Sequence, residues 1–484
     1  MINLKGRKVK YILMFVVFQY IYCGCSSYDN KKVSGNSNNT PNIVMILVDD
    51  LRWDEFSLAG HNYIHTPNID RIAKEGIWFK NAFTTTPLCS PSRASFLTGE
   101  YAHSHGIIDN TDRSVLSHHL NTFPMKLDSI GYETAFIGKW HMGNDNTPRP
   151  GFDFWAALKG QGEAIDPDFN ENGKEIKKQG YVTDVLTKYS LNFIKDHDSN
   201  RPFLLYLSHK GLHPNLYQDS TGKLSKIEGG GFIPAARHKG MYKDDVFVRR
   251  PNAYITPRDK PALMRKIGDL PVLGKETATP EQVIRDRAEM LMAIDEGLGE
   301  IFDALEKKGE LDQTVILLAG DEGYFYGEHG LNEERRLAYE ESLRIPMLIR
   351  YPPLIEKGMT SEKMVLNIDI APTFIELAGS EPGSFIEGKS LLPLFSKKNE
   401  SKDWRNSFLM EYYSDAVWPR AVNLGYKGIR TDRYKYIQYT DLQGMNEFYD
   451  LKEDPYELKN SINEVRYDSI INEMKKKLTF YIDK

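Results

Sequence analysis

Four short apolar runs in this chain each end on residues able to do chemistry, and that pattern restricts the fold more than any other feature. Ile43–Val48 runs into Asp49 and Asp50, and Tyr132–Ile137 into Gly138-Lys139-Trp140-His141. Phe203–Leu207 runs into Ser208-His209-Lys210-Gly211-Leu212-His213, and Val315–Ala319 into Gly320-Asp321-Glu322-Gly323. Runs this short, rich in β-branched and aromatic residues and bounded by Gly or Pro, predict buried strands. Helical patterns separate them: Asn68–Glu75, Phe123–Ser129, Thr183–Asp196 with Thr183 as N-cap, and Glu281–Lys308. In the last, Ala288, Met292, Ile294, Leu298, Ile301 and Leu305 carry the apolar rhythm. Strands alternating with helices predict an α/β fold, its mostly parallel central sheet flanked by helices on both faces. In an open sheet of that kind the ligand site lies beyond the carboxyl ends of the strands. The four polar strand ends therefore converge on one rim.

At 484 residues the chain exceeds one average domain and can bury a core without disulfide staples. Its net charge is −5, with both signs spread along the sequence and no basic block, which argues against nucleic acid as a partner. Such a protein must gather positive charge locally to handle an anion. Lys5, Arg7, Lys8 and Lys10 precede the apolar stretch Tyr11–Tyr22 and then Cys23-Gly24-Cys25-Ser26-Ser27, a targeting segment set aside from fold reasoning. Small residues before a cysteine resemble a bacterial lipoprotein box. That resemblance implies export to the cell envelope and a membrane anchor through lipidation of Cys25. Competition from Cys23, and plain cleavage giving a periplasmic or secreted protein, are the alternatives. The expected organisation is a signal peptide with anchor cysteine over 1–25, a flexible tether over 26–40, a catalytic domain over 41–400 and a C-terminal subdomain over 401–484. With Cys23 and Cys25 in the leader, Cys89 stands alone in an exported protein, which excludes a disulfide framework.

Cys89 opens the run Cys89-Ser90-Pro91-Ser92-Arg93-Ala94-Ser95-Phe96-Leu97-Thr98-Gly99. Pro91 suits the first turn of a helix that continues to Thr98 and stops at Gly99. Residue 89 then lies at the positive helix N-terminus, where backbone N–H groups favour an anion. Cys-x-Pro-x-Arg followed by Leu-Thr-Gly resembles the signature of the formylglycine-dependent type I sulfatases, members of the alkaline phosphatase superfamily. The stretch from Gly131 to His141, Gly-Tyr-Glu-Thr-Ala-Phe-Ile-Gly-Lys-Trp-His, resembles the second signature of that family. The resemblance spans roughly Asn42 to the C-terminus. It implies an alkaline-phosphatase-like core and a smaller C-terminal subdomain that lines one wall of the substrate pocket. It also implies conversion of Cys89 to formylglycine by a maturation enzyme.

Asp49 and Asp50, with Asp321 and Glu322 from a distant strand, offer hard oxygen donors without thiolate or histidine partners, a set suited to Ca²⁺ or Mg²⁺ rather than zinc. The resemblance implies Ca²⁺, with Mg²⁺ the lesser alternative, also contacting the modified Cys89 and a sulfate oxygen. Glu322 departs from the family, where Asn or His is usual. The resemblance further implies a hydrated aldehyde with one hydroxyl that attacks sulfur and a second whose deprotonation expels sulfate. Arg93, one helical turn beyond Cys89, is placed to hold the hydrate. His213 corresponds to the acid at the leaving oxygen, His141 to the residue that takes the second hydroxyl's proton, and Lys139 to a sulfate clamp. His209, closer to the strand, reads as structural, with an exchange of roles between it and His213 as the alternative. Counting back from Tyr339 places Arg335 where relatives carry a sulfate-binding lysine, and Arg can bind an oxyanion bidentately. His61, His65, His118, His119 and His197 read as packing or surface residues, and His103, His105 and His329 receive no chemistry.

Asn367–Thr373 opens a helix ending near Gly379, Gly428–Ile437 alternates like a strand, and a terminal helix starts at about Tyr467. The first helix ends the main domain, and the later elements predict a small C-terminal α+β subdomain with an antiparallel sheet. Residues 144–182 and 214–275 are long insertions, and loops of that length at a strand rim are usually functional. Arg237, His238, Lys239, Lys243, Arg249 and Arg250 there read either as contacts for further sulfates or carboxylates of a polyanion or as a solvated charged loop. The expected activity is hydrolysis of sulfate monoesters on a sulfated carbohydrate: an algal polysaccharide such as ulvan or carrageenan, or a glycosaminoglycan or mucin oligosaccharide. Two alternatives stand beside it, a phosphodiesterase or phosphonate monoester hydrolase of the same superfamily and an inactive glycan-binding surface lipoprotein.

Overall fold

In strand β1 (Asn42–Val48) the side chains alternate between two cores. Ile43, Met45 and Leu47 join one hydrophobic cluster, while Val44, Ile46 and Val48 join the other, as the two-residue period of a strand buried on both faces requires. This computed structural model describes residues 40–226, 231–333, 335–396, 403–414 and 418–483. The leader with Cys23 and Cys25, the tether up to residue 39 and the expected boundary at 400/401 lie outside the described residues.

The remaining strands are β2 (Ile77–Phe83), β3 (Glu133–Lys139), β4 (Phe154–Leu158), β5 (Asp168–Glu171), β6 (Lys174–Lys177), β7 (Phe203–His209), β8 (Leu216–Gln218), β9 (Leu224–Lys226), β10 (Thr314–Gly320), β11 (Met347–Arg350), β12 (Met359–Leu366), β13 (Ser407–Tyr412), β14 (Tyr426–Thr431), β15 (Tyr434–Tyr439) and β16 (Glu447–Asp450). Ten of them form one sheet in the order β12-β2-β11-β10-β1-β7-β3-β4-β5-β6. Its centre, β10-β1-β7-β3-β4, is parallel throughout, and antiparallel strands are added towards the edges. The helices Cys89–Thr98, Phe123–Ser129 and Ile370–Leu377 cover one face. Pro67–Glu75, Val182–Asp196 and Glu281–Lys308 cover the other. The architecture is thus the expected α/β arrangement. Gly138 has φ 119°, and a Cβ there would stand 1.9 Å from the Ser208 carbonyl oxygen, so only glycine lets β3 lie this close to β7 just before Lys139.

Two local expectations are corrected. Thr183 is not an N-cap: its helix begins one residue earlier, at Val182, after a Tyr181 whose side chain makes no capping bond. The alternating stretch 428–437 is not one strand but parts of two, β14 and β15, paired antiparallel across a turn at Asp432-Arg433. β13 to β16 form a separate four-stranded antiparallel sheet, followed by the helix Asp468–Ile482. Phe408, Leu409 and Ile429 of that sheet share a core with Phe83, Leu88 and Tyr101, which ties it to the chain on either side of Cys89.

Candidate active site

The parallel register sets the height of the site. Val48 pairs with Gly320 on one side and His209 on the other, and Gly138 pairs with Ser208, so the four strands end level. Asp49 and Asp50 follow β1, Asp321 and Glu322 follow β10, Lys139 closes β3, and all five are buried. Asp50 lies in the left-handed region at φ 59°. Two bonds hold it there: its N–H donates to Asp321 Oδ1 at 2.9 Å, and its carbonyl accepts from Arg287 Nη2 at 2.8 Å.

Cys89 enters as the first residue of the helix Cys89–Thr98, which ends on Gly99 in the left-handed conformation that caps a helix. Its Sγ donates to Glu322 Oε1 at 3.2 Å. One turn on, Arg93 reaches back into the same space. Its Nη2 lies 2.7 Å from Asp321 Oδ2 and 3.5 Å from Asp49 Oδ1, while Nη1 donates to the Lys139 carbonyl at 2.9 Å and to Ser208 Oγ at 2.6 Å. Lys139 Nζ pairs with Asp49 Oδ2. Arg335 Nε stands 2.7 Å from Asp50 Oδ1 and 2.8 Å from Glu322 Oε1. The two residues that depart from the family pattern therefore touch each other, and the added negative charge of Glu322 is met by Arg335.

Buried carboxylates outnumber their cations here: four acids face Lys139, Arg93 and Arg335. Burial raises every acid, and the local field decides the outcome. At Asp49 burial is outweighed by Lys139 and Arg93, which hold its carboxyl well below the usual range. At Asp50, burial and the charge of Asp49 prevail over Arg335 and raise it. Burial likewise pushes Asp321 to about 7 against Arg93, and Glu322 well above its ordinary value against Arg335. Asp50 Oδ2 and Glu322 Oε2 find no hydrogen-bond donor among the described residues. Candidate ligand atoms of Asp49, Cys89 and Asp321 lie within 4.8 Å of one another, as do those of Asp50, Cys89 and Glu322. Orphaned carboxylate oxygens around a charge deficit fit a hard divalent cation bound by oxygen donors. Cys89 is a poor nucleophile as a thiol, because burial and the adjoining Glu322 push its pKa well above the ordinary value.

The histidines present different atoms. Gln218 Nε2 donates to the Gly222 carbonyl at 2.8 Å, which fixes the amide so that its Oε1 faces Gln161 Nε2 at 2.8 Å and His141 Nε2 at 2.8 Å. His141 thus carries its proton on Nε2, and its buried Nδ1 keeps a free lone pair. Burial, then Lys139, lowers this imidazole well below its ordinary pKa. The hydroxyl of Ser90, next to Cys89, bonds the His141 carbonyl and ties the helix start to the histidine. His213 donates from Nδ1 to the Pro214 carbonyl at 2.8 Å, leaving Nε2 for other partners, and burial with Lys139 depresses its pKa as well. It lines the mouth of the site with Arg335, Gln161 and Gln218. His209 is the last residue of β7 and buried, with burial lowering it to about 3.

Several basic residues of the second insertion are engaged elsewhere. Arg237 pairs with Asp184 and Glu296 at 2.7 Å each, His238 with Glu296 at 2.8 Å, Arg249 with Glu281 at 2.8 Å and Arg250 with Asp54 at 2.7 Å. These four hold the loop to the protein; Lys239 and Lys243 are exposed. In their place the mouth is lined by Gln161, Gln218, Asn110, Arg336 and Trp418, which sequence reasoning did not single out. Insertion length pointed to the stretches holding both glutamines, but no local pattern says which amide meets His141.

A parallel sheet whose strand ends hold an acid cluster against a helix N-terminus, with two proton-carrying imidazoles beside it, defines a hydrolase built for esters of tetrahedral oxyanions. Known proteins narrow that class. The family model described as Sulfatase matches residues 41–380, and one described as N-sulphoglucosamine sulphohydrolase, C-terminal, matches residues 327–484. The chain belongs to the sulfatase family and is a sulfuric ester hydrolase. It is 36% identical over 476 residues to the N-acetylglucosamine-6-O-sulfatase of Bacteroides thetaiotaomicron, covering 88% of this chain and 83% of that protein. It is 28% identical over 494 residues to the ulvan-active sulfatase of Formosa agariphila, covering 99% and 87%. A solved protein in complex with its substrate D-glucosamine-2-N,6-O-disulfate superposes with a TM-score of 0.79 at 32% identity, over 92% of this chain and 99% of that one.

Proposed function

We propose that this sulfatase removes a sulfate ester from a sulfated carbohydrate, with an amino sugar as the sulfated unit. Cys89 acts after conversion to formylglycine by a maturation enzyme, and Ca²⁺ is held by Asp49, Asp50, Asp321, Glu322 and residue 89. The amino-sugar reading rests on the similarity to an N-acetylglucosamine-6-O-sulfatase and to a solved complex with D-glucosamine-2-N,6-O-disulfate, each above 30% identity. Export and anchoring through Cys25, with 26–40 as tether to a catalytic domain over 41–400 and a subdomain over 401–484, rest on the leader sequence. When present, the hydrated aldehyde supplies a nucleophilic hydroxyl and a second hydroxyl for release, and the cation supplies positive charge at the sulfate oxygens.

The chain's own residues do the rest. Lys139 and Arg335 bind sulfate oxygens, and Arg93 orients side chain 89 from one turn away. His213 Nδ1–H is committed to the Pro214 carbonyl, so Nε2 is the atom that delivers a proton to the departing sugar oxygen. Its pKa is lowered by burial first and by the charge of Lys139 second. A bound sulfate ester brings negative charge there and favours the imidazolium. His141 Nδ1 takes the proton in the release step, with Nε2–H held by Gln218. The observation that carries this reading is the position of Cys89: a helix N-terminus, in contact with Glu322 and within ligand distance of Asp49, Asp50 and Asp321.

Mass spectrometry of the Cys89 peptide, on protein produced with a formylglycine-generating enzyme, tests it alongside turnover of N-acetylglucosamine 6-sulfate and an aryl phosphodiester. Aldehyde at residue 89 with preference for the sulfate ester is expected, and Cys89→Ala abolishes turnover without unfolding. Full activity with an unmodified thiol, or preference for the phosphodiester, refutes it.

A further inference from the structure

Gln161, Leu216 and Gln218 form a wall with two sides. One side faces the mouth that holds His213 and Arg335, and the other faces a second cavity of about 230 Å³. Asn144, Lys159, Glu163, Asp168 and Tyr217 also line that cavity. Tyr217 projects from β8 with 59% of its surface exposed, next in sequence to the buried Gln218 that holds His141. A bare aromatic ring beside a concave surface of amide, ammonium and carboxylate groups has the chemistry that recognises a sugar. C–H faces lie on the ring, and hydroxyls exchange hydrogen bonds with side chains that both donate and accept. Its charge is selective too. Glu163 and Asp168 outnumber Lys159, so the cavity repels a second sulfate, in contrast to the cation-rich mouth on the other side of the wall.

We propose that this cavity binds the neighbouring sugar of a glycan, neutral or amino-bearing, while its sulfated unit occupies the mouth beside His213 and Arg335. The proposal rests on the reading of that mouth as the sulfate-ester site. Tyr217 is the platform, and Gln161 and Gln218 separate the two units at the glycosidic linkage. The enzyme is then an oligosaccharide sulfatase rather than one matched to a single sulfated sugar.

The test compares N-acetylglucosamine 6-sulfate with two disaccharides carrying the same sulfated unit, one joined to neutral galactose and one to sulfated galactose. The wild type is expected to favour the neutral disaccharide in kcat/KM. Tyr217→Ala should lower that value roughly three- to tenfold, as the loss of one aromatic contact implies, and leave the monosaccharide unchanged. Equal use of all three probes, or equal loss on each in the variant, overturns the proposal. If the wild type desulfates none of them, the reading of the mouth has failed. The cavity is then judged by saturation-transfer NMR of the neutral disaccharide: contacts to the galactose ring that vanish in Tyr217→Ala support it, and an unsaturated galactose ring sinks it.

Discussion

The acid cluster should make the stability of this enzyme depend on a divalent cation, and on pH in a direction the structure specifies. Asp321 ionises at about 7 where the ordinary carboxyl value is 3.8, because burial outweighs Arg93. The folded protein without an ion therefore holds this proton more tightly than the unfolded chain. That contribution to stability is complete below about 3.8 and is lost as pH rises through about 7. The difference is worth ~4 kcal/mol, so above neutral pH the cation-free fold carries an uncompensated buried charge. Ca²⁺ at 100 times its dissociation constant adds ~2.7 kcal/mol. With an unfolding entropy of ~2 cal/mol/K per residue, that raises Tm by ~3 °C in a chain of this length. Because the ion needs the deprotonated carboxylate, each pH unit below 7 costs about tenfold in affinity, and at pH 5 the same Ca²⁺ should give almost no rise. Scanning fluorimetry after chelation, with Ca²⁺ or Mg²⁺ restored at pH 8 and pH 5, reads this directly and needs no turnover. A Tm indifferent to the ion at pH 8, or an equal rise at both pH values, would refute the reasoning.

Two further predictions concern the proton carriers. His213→Ala should lower kcat on a sugar sulfate by ~10²–10⁴-fold but spare an aryl sulfate, whose phenolate leaves without a proton; equal losses on both would remove His213 from the leaving-group role. Gln218→Leu removes the acceptor that fixes the His141 tautomer, a bond to a group that becomes charged in release and is worth ~1.5–3 kcal/mol. A kcat loss of ~10- to 100-fold at unchanged KM is expected, with Gln218→Glu restoring much of it, and an unaltered kcat in the leucine variant would show that Gln218 only fills space.

The four central strands, the longer helices and the acids at strand ends were legible because each is written locally. The apolar runs before Asp49, Lys139, His209 and Asp321 became β1, β3, β7 and β10 within a residue or two, and Pro91 and Gly99 marked the helix that carries Cys89. Burial on both faces demands such runs, whatever the rest of the chain does. Where local signals compete, reading them failed. Thr183 looks like a cap yet lies inside its helix, and a turn at Asp432-Arg433 divides a stretch whose alternation is otherwise unbroken.

Partnership across the chain belongs to the tertiary structure alone. Arg335 and Glu322 read separately as two departures from a pattern, and only folding sets Arg335 Nε 2.8 Å from Glu322 Oε1 and 2.7 Å from Asp50 Oδ1. The arginines at 237, 249 and 250 carry the same charge as Arg335, yet they end on acids of other elements, Asp184, Glu281 and Asp54. Gln218 becomes important because an insertion folds back over His141. A residue's type and its near neighbours set its local conformation. Its pKa, its tautomer and its access to substrate depend on which distant charges and dipoles burial brings within a few ångströms, and no short window of sequence contains them.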